Sequence, residues 1–350
     1  LMASYYGQRA AAGLIITDTG ARQTGKPITF DATTVTQNTN GGVLVQRACD
    51  LIVRNGSSFA NCPVRAINID GATVDGGSLT VSDSSFTGNA DGAILLVRNW
   101  NCTITGSSFT GNRYALFRTA EYAPQYATNI SISQSNFSAN GSDFATLRDD
   151  TASTDHVWQL TQNTFLGNPQ QAVLINGSGA AATTLIMERN KVEGKDGVTN
   201  FNLVHAINLS AGSRFVNNLV NGARAGLTLV DSAMDIYHNT FVNSLLGIEL
   251  ICNVAKPINI KNNIFDGLPS GILGGSSTAL GQLSVDYNLI NAATIDDAAV
   301  GAHMGSNNIL GQEAKFVASA TTPGAGDFSL ADDSPALGKG TDVGVTVDFN

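Results

Sequence analysis

The sequence is poor in charged residues, and poorest in basic ones. Charged residues make up 13% of its 350 positions, and 19 lysines and arginines stand against 28 acidic residues, for a formal net charge of −9 at pH 7. A protein that binds nucleic acid needs a basic excess to neutralise phosphates. The composition therefore excludes a nucleic-acid partner.

Cysteines and long apolar runs are also scarce. Cys49, Cys62, Cys102 and Cys252 lie far apart and form no CxxC pair. This spacing disfavours a zinc site and leaves any disulfide pairing open. No apolar run reaches the roughly 18 residues that a membrane helix needs, so we expect no membrane insertion. The apolar stretch Ala10 to Ile16 lacks the charged start and the cleavage site of a secretory signal.

Hydrophobic residues, by contrast, reach 43%, enough for a large buried core. Many of them belong to a short segment that recurs about ten times. Its pattern is apolar, outward, apolar, two polar residues, Ser or Asn, one further residue, and usually Phe. The copies occupy residues 79–86, 102–109, 130–137, 158–165, 185–192, 213–220, 234–241, 258–265 and 283–290, with a looser copy that ends at Phe59.

Apolar and polar residues alternate within each copy, which is the period of a strand. A second short strand follows most copies, at residues 92–97, 114–117, 172–175, 205–209, 226–230 and 247–251. This pattern predicts an all-β fold, a right-handed parallel β-helix (solenoid) of ten or eleven coils. We expect an N-terminal cap and first strand over 1–30, coils over 31–310, and a C-terminal closing segment over 311–350.

One polar column accompanies the repeats, two places before the last apolar residue of each copy. We expect these side chains to stack at one corner, where they would hydrogen-bond coil to coil and satisfy the turn backbone. The column is therefore interpreted as structural. It consists of Ser57, Ser84, Ser107, Ser135, Asn163, Asn190, Asn218, Asn239, Asn263 and Asn288.

Over residues 20 to 350 the sequence resembles the pectin-lyase-like superfamily of β-helix proteins. Residues 24–30 (TGKPITF) resemble the opening coil of secreted bacterial members, and residues 327–330 (DFSL) with 334–340 (SPALGKG) resemble their closing segment. The resemblance implies a secreted or cell-surface protein. The superfamily holds lyases, hydrolases, epimerases, adhesins and phage tailspikes, so it does not select one function.

Two smaller resemblances point to different functions. The Phe-x-x-Asn pieces that begin at Phe86, Phe109, Phe137 and Phe165 resemble repeats of bacterial surface adhesins. Residues 146–149 (TLRD), followed by 163–167 (NTFLG), resemble the chondroitinase B and alginate lyase family, whose functional arginine corresponds to Arg148. Aspartates follow that arginine here, where the family has His and Gly.

Charged and aromatic residues begin on one outward face only in the C-terminal half. They are placed to hold an acidic or neutral glycan by hydrogen bonds and ring stacking. The alternative is a solvated face with cross-strand ion pairs. The candidate substrate-binding residues are Glu188, Arg214, Asp235, Tyr237, His238 and Lys261, together with Arg98 on the second strands.

A second candidate site uses Arg118 and Arg148, which we place at equivalent positions of adjacent coils. A polyuronide lyase needs a cation to neutralise the substrate carboxylate, and a base to remove the neighbouring proton. Either arginine would serve as the neutraliser and His156 as the base. The one cofactor that the sequence suggests is Ca²⁺, with carboxylate ligands from Asp149, Asp150 and Asp155.

The sequence thus predicts an extracellular β-helix that binds an acidic polysaccharide or cell-surface glycan, with or without cleavage by β-elimination. One alternative is a non-catalytic structural or adhesive rod. Another is a glycoside hydrolase with paired carboxylates on the same fold. Neighbouring acids such as Asp149 and Asp150 point to opposite sides of a strand, which ranks hydrolysis below a lyase reaction.

Overall fold

In the computed structural model, the repeated segments form short parallel strands that stack into three faces. The structure describes residues 14–16, 27–37, 41–45, 49–70, 77–97, 100–119, 128–141, 145–150, 155–177, 182–195, 201–274, 279–294 and 298–346. Face 1 is an eleven-stranded sheet of β2 (Ile28–Asp31), β5 (Asp50–Arg54), β8 (Gly77–Ser82), β11 (Trp100–Thr105), β14 (Thr128–Ser133), β17 (His156–Thr161), β20 (Thr183–Glu188), β23 (Arg214–Val216), β26 (Met234–Tyr237), β29 (Ile258–Lys261) and β31 (Leu283–Asp286).

The other two faces belong to one 22-stranded sheet, because β30 (Ile264–Gly274) runs through both. Face 2 also contains β3 (Thr34–Thr36), β6 (Ser58–Ala60), β9 (Ser85–Thr87), β12 (Ser108–Thr110), β15 (Asn136–Ser138), β18 (Thr164–Asn168), β21 (Lys191–Gly194), β24 (Leu219–Asn221), β27 (Thr240–Val242), β32 (Leu289–Thr294) and β33 (Ile309–Leu310). Face 3 also contains β1 (Leu14–Ile16), β4 (Val43–Val45), β7 (Ile67–Asp70), β10 (Ile94–Val97), β13 (Leu116–Thr119), β16 (Leu147–Asp149), β19 (Val173–Asn176), β22 (Asn202–Ile207), β25 (Ala225–Val230) and β28 (Leu246–Ile251). The predicted parallel β-solenoid is confirmed.

Alternation along each strand decides what is buried. In β11, Cys102 and Ile104 are inside the coil, whereas Thr103 between them is exposed. The parallel register sets Ile104 beside Val81 on one side and Ile132 on the other, so each inward residue packs on its equivalents in adjacent coils. A one-residue slip would turn every apolar residue outward, so the pattern fixes the register.

The polar column forms a buried ladder at the corner between faces 1 and 2. The backbone N–H and the side-chain Nδ2 of Asn163 both donate to Oδ1 of Asn190, at 2.9 and 3.1 Å, and Asn190 donates in the same way to Asn218. Nδ2 of Asn190 also donates to the carbonyl of Leu160 in the preceding coil, at 2.8 Å. The predicted coil-to-coil hydrogen bonds are thus present, and they continue to Asn308.

The residue before each ladder position adopts a left-handed backbone conformation, which makes the sharp turn between faces 1 and 2. This conformation costs about 1–2 kcal/mol for a residue other than glycine. The hydrogen bonds made by the next residue, which belongs to the ladder, hold it in place. The side chain at this place projects outward at the corner. The non-glycine residues of the column, with φ from +48° to +59°, are Asp83, Gln134, Gln162, Arg189, Asn217, His238, Asn262 and Tyr287.

The Phe-x-x-Asn pieces have a packing role. Phe86 and Phe109 stack face to face inside the coils, with ring centroids 4.8 Å apart. Asn112, three residues after Phe109, donates to Oδ1 of Asn140 at 3.0 Å and to the carbonyl of Phe86 at 2.9 Å. These asparagines form a second ladder at another corner. The residues that carry the resemblance to adhesin repeats therefore have a packing role in this fold.

The C-terminal part of the chain covers both the end and the side of the solenoid. The short helix α1 (Ala298–Gly301) places the fully buried Val300 against the last coils. The closing segment, residues 311–346, contains the hairpin of β34 (Phe316–Ala318) and β35 (Asp327–Leu330) and lies against face 2. Asn262 exchanges two hydrogen bonds with the backbone of Thr341, and Asn243 donates to the carbonyl of Ala320 at 3.0 Å.

Replacement of one ladder residue tests this account. Asn190→Ala leaves a buried N–H of Asn163 and a carbonyl of Leu160 without their partners, so we expect a loss of about 1–3 kcal/mol in the free energy of unfolding. Asn136→Ala is the matched control, because Asn136 is exposed on face 2, and it should change stability by less than about 0.5 kcal/mol. Urea denaturation of both variants measures the difference. Equal effects would contradict a structural role for the ladder.

Candidate functional site

The predicted pairing of Arg118 with Arg148 is wrong by one residue. In the register of β13 and β16, Arg118 lies beside Asp149, and Phe117 lies beside Arg148. Because successive side chains of a strand point to opposite sides, the shift sends Arg118 and Asp149 into the core and Arg148 outward. The sequence did not show this because the distance from the second-ladder asparagine to the second strand varies: Leu116 follows Asn112 by four residues, whereas its partner Leu147 follows Asn140 by seven.

Arg118, Asp149 and His156 form a buried polar cluster inside the solenoid. The side chains of all three have no exposed surface. One oxygen of Asp149 accepts a hydrogen bond from Trp158 Nε1 at 2.6 Å and lies 3.3 Å from Arg118 Nη1 and 3.2 Å from His156 Nε2. A polymer outside the coils cannot contact these groups, so the arginine and histidine proposed as neutraliser and base act here as core residues.

The three acids proposed for Ca²⁺ do not converge. Asp149 points into the core, whereas Asp150 lies outside and pairs with Arg148 at 2.6 Å. Asp155 accepts a hydrogen bond from the backbone of Ala182 at 2.8 Å. Within the described residues, no group of three or more His, Cys, Asp or Glu side chains is arranged to hold a metal ion. Asp149, Asp150 and Asp155 therefore do not fit a Ca²⁺ ion. Arg98 lies outside the described residues.

The charged side chains on the C-terminal half of face 1 mostly pair with neighbouring side chains of the same face. Arg214 Nε lies 2.8 Å from Glu188 Oε1 on the neighbouring strand. Asp235 accepts from the Tyr237 hydroxyl at 3.0 Å and from Asn259 at 2.8 Å, and burial together with the Asp235 charge raises the pKa of Tyr237 to about 12. Cross-strand pairs of this kind match the alternative interpretation of a solvated face. Lys261 follows Tyr237 in the same outward column.

A groove of about 720 Å³ lies between face 2 and the closing segment. Its floor is one outward column of face 2, in which each residue is in register with the next: Lys191, Leu219, Thr240, Ile264, Leu289 and Ile309. Its outer wall consists of residues 326–330 and 336–340. The groove spans six strands, so it is about 24 Å long at a strand spacing of ~4.8 Å.

The rim of the groove carries polar side chains from the left-handed corner column. His238, Asn262 and Tyr287 line it, and His238 Nε2 lies 3.1 Å from Asn262 Nδ2. Of the predicted substrate-binding residues, His238 alone lines this groove. Sequence reasoning missed the groove itself, because its outer wall is a non-repeating segment that returns to earlier coils, as in the contact of Asn262 with Thr341, 79 positions further along the chain.

A polar cluster on face 3 was also missed. Arg224 binds Glu249 through two parallel hydrogen bonds, at 2.8 and 2.6 Å, and Thr228 donates to the same carboxylate at 3.2 Å. These bonds from Arg224 hold the pKa of Glu249 below its usual range. His205 nearby lies 3.2 Å from Gln171, and burial lowers its pKa. The signal in the sequence was the run of polar residues at matching positions of the second strands, namely His205, Thr228 and Glu249.

Two arginine variants test which side of face 3 each residue occupies. Arg118→Gln leaves Asp149 buried without its guanidinium, so we expect a loss of about 3–5 kcal/mol in the free energy of unfolding. Arg148→Gln removes a partly exposed ion pair with Asp150 and a contact with the Phe117 ring, and should cost about 1 kcal/mol or less. Denaturant titration of the two proteins compares them. A larger effect at Arg148 would contradict the register.

The Arg224–Glu249 pair predicts a pH-dependent stability difference. Because the pKa of Glu249 is lowered in the folded state, the pair stabilises above the unfolded pKa near 4.5, and this stabilisation is lost as pH falls through the folded pKa. Arg224→Gln should therefore cost about 1 kcal/mol at pH 7, and the gap to wild type should narrow between about pH 5 and pH 3. Arg214→Gln, at an exposed pair on face 1, should change stability by less than about 0.5 kcal/mol. A gap that widens on acidification would contradict the assignment.

A comparison with models of known protein families supports the fold that the coils show. No curated protein sequence matches the chain. No helix among the described residues is long and apolar enough to cross a membrane. A family model described as a right-handed beta helix region matches residues 12–219, which is more than half of the chain, and the parallel coils continue past that match to β33. The chain therefore belongs to the right-handed β-helix family.

Proposed function

We propose that this protein is an extracellular β-helix that binds an extended acidic polysaccharide in the groove between face 2 and the closing segment. The observation that carries the proposal is the groove itself, with its volume of about 720 Å³. Binding sites for organic ligands are concave, of about 300–1,000 Å³, and combine an apolar lining with a few placed polar groups. A linear polymer would lie parallel to the solenoid axis along the floor column.

Charge supports an acidic ligand. Lys191 lies on the floor and Lys339 on the outer wall, in a chain whose net charge is −9. Asp327 is the acid among the lining residues, and its carboxylate already accepts the backbone N–H of Ser329 at 3.0 Å. Ammonium groups bind carboxylate or sulfate groups as compact point charges. Lys191 Nζ also lies 3.2 Å from Glu193 Oε1, so the charge offered to an acidic ligand is that of Lys339 on the outer wall.

The apolar and polar linings have separate roles in this proposal. Leu219, Ile264 and the Tyr287 ring present surface against which the C–H side of a sugar ring would pack. His238 at the rim contributes a polar ring to which a sugar hydroxyl would hydrogen-bond, and Asn262 beside it orients that ring at 3.1 Å. Asn262 also holds the outer wall through Thr341, so the same residue sets the width of the groove.

The proposal is for binding without cleavage. Arg118 and His156, the residues that a β-elimination would have used, lie in the core. Lysine, tyrosine and histidine occur at the groove, but no pair of carboxylates faces across it among its lining residues. A bound polymer would therefore be held rather than cut.

Calorimetric binding to alginate, pectate, chondroitin sulfate and hyaluronan tests the proposal, with dextran as a neutral control. We expect affinity for at least one acidic polymer, weakened by added salt because exposed charges are screened. Lys339→Gln and Tyr287→Ala should each weaken binding about tenfold, which corresponds to about 1.4 kcal/mol. Lys256→Gln, which removes the same charge outside the groove, should leave the affinity unchanged.

Two results would contradict the proposal. One is wild-type protein that binds none of the acidic polymers, which would favour a structural rod. The other is an affinity that Lys339→Gln and Lys256→Gln weaken equally, which would assign the effect to net charge alone. Absorbance at the wavelength of unsaturated uronate products should stay flat during the titrations, and a rise would show that the chain also cleaves its ligand.

A further inference from the structure

A second surface, on the N-terminal half of face 1, differs in kind from the groove. We name it the hydroxyl face, and it is formed by the last two outward residues of each of β8, β11, β14 and β17; the first outward residues, Ser78, Asn101, Asn129 and Val157, border it. Seven of its eight positions carry a hydroxyl group, none carries a charge, and all are at least partly exposed. They are Thr80, Ser82, Thr103, Thr105, Ser131, Ser133, Gln159 and Thr161.

The hydroxyl face is a regular two-dimensional array. Thr80, Thr103 and Ser131 are in direct register in one column, and Ser82, Thr105 and Ser133 are in register in the other. Neighbouring strands are ~4.8 Å apart, and the two outward residues of one strand are ~6.6 Å apart. The hydroxyls of Thr105 and Ser133 are 3.4 Å apart, so adjacent coils present donors and acceptors at hydrogen-bonding distance.

The layer beneath fixes this array. Val81, Ile104 and Ile132 alternate with the hydroxyl residues and are fully buried. Directly after these strands the corner ladder continues, where the backbone of Ser84 donates to Ser107 and that of Ser107 donates to Ser135, at 3.2 and 3.1 Å. Threonine is also restricted at χ1 by its branched Cβ. The positions of the hydroxyl groups therefore vary little.

The same two columns change character beyond this patch. From β20 onward they carry Glu188, Arg214 and Asp235, which pair with neighbouring side chains rather than form an even array. The hydroxyl face contains no aromatic residue and is not part of the groove lining. A single sugar chain needs a concave site with ring contacts. A flat, rigid, uncharged array instead matches a ligand that is itself a flat lattice.

We propose that the hydroxyl face binds ice. Water molecules that hydrogen-bond to the two columns would be held at the two spacings of the array, and water oxygens on a prism face of hexagonal ice repeat at similar spacings along two perpendicular directions. This site is independent of the polysaccharide groove.

Thermal hysteresis and inhibition of ice recrystallisation by the full chain test the inference. The wild-type protein should shape ice crystals and slow recrystallisation, and Ser131→Lys at the centre of the array should lose most of this activity. Ser284→Lys is the matched control, because Ser284 occupies the same column on β31, outside the hydroxyl face. It should retain the wild-type effect. Circular dichroism and melting curves show whether each variant is folded.

Three results would overturn the inference. These are wild-type protein with no more effect on ice than serum albumin, folded Ser131→Lys protein with full activity, and an equal loss in Ser131→Lys and Ser284→Lys. Polysaccharide affinity should be unchanged in Ser131→Lys, so failure of the ice-binding site and failure of the groove are separate outcomes.

Discussion

The structure depends on hydrogen bonds between stacked side-chain amides at one corner of the solenoid. At this corner each coil turns through a left-handed residue, and a buried N–H group follows it. The Oδ1 atom of the next coil's asparagine accepts that N–H, as Asn190 does for Asn163. A buried N–H without an acceptor would cost about 1–3 kcal/mol per coil. The ladder therefore sets both the position of the turn and the register of the strands on either side.

The strand register set at this corner determines which residues lie side by side on each outer face. Because each coil is aligned with the next, outward residues form columns, and a column is uniform wherever the sequence repeats. One outward column of face 1 is neutral at Thr103 and Ser131 and becomes charged at Arg214 and Asp235, on one continuous sheet. The solenoid thus supports different surfaces along its length without a change in backbone.

The fold and its main ladder could be predicted from the sequence because both are periodic and local. An alternating strand followed by Ser or Asn recurs at each coil, so one pattern specifies the strand, the turn and the pairing partner. Arg118 shows the limit of this reasoning: its strand contains apolar residues on both sides, and a one-residue error in register exchanged core and surface. Loops of different lengths between coils hid that register.

The groove could not be predicted, for a different reason. The residues of its floor form a column that the repeats reveal. Its outer wall is the closing segment, whose sequence has no repeat. Hydrogen bonds from side chains to the backbone hold this segment in place, such as that from Asn243 to Ala320. A backbone carbonyl leaves no mark in a sequence. Of the residues that the sequence proposed for a site, His238 reaches the groove because the left-handed corner turns it outward.

The most direct test of the central claim is residue-resolved amide hydrogen exchange. The account predicts that the backbone N–H groups of Asn163, Asn190, Asn218 and Asn239, each bonded to the next asparagine Oδ1, exchange only through global unfolding and share one large protection factor. Exchange of these groups at rates typical of exposed turns would contradict the claim that the ladder fixes the coils.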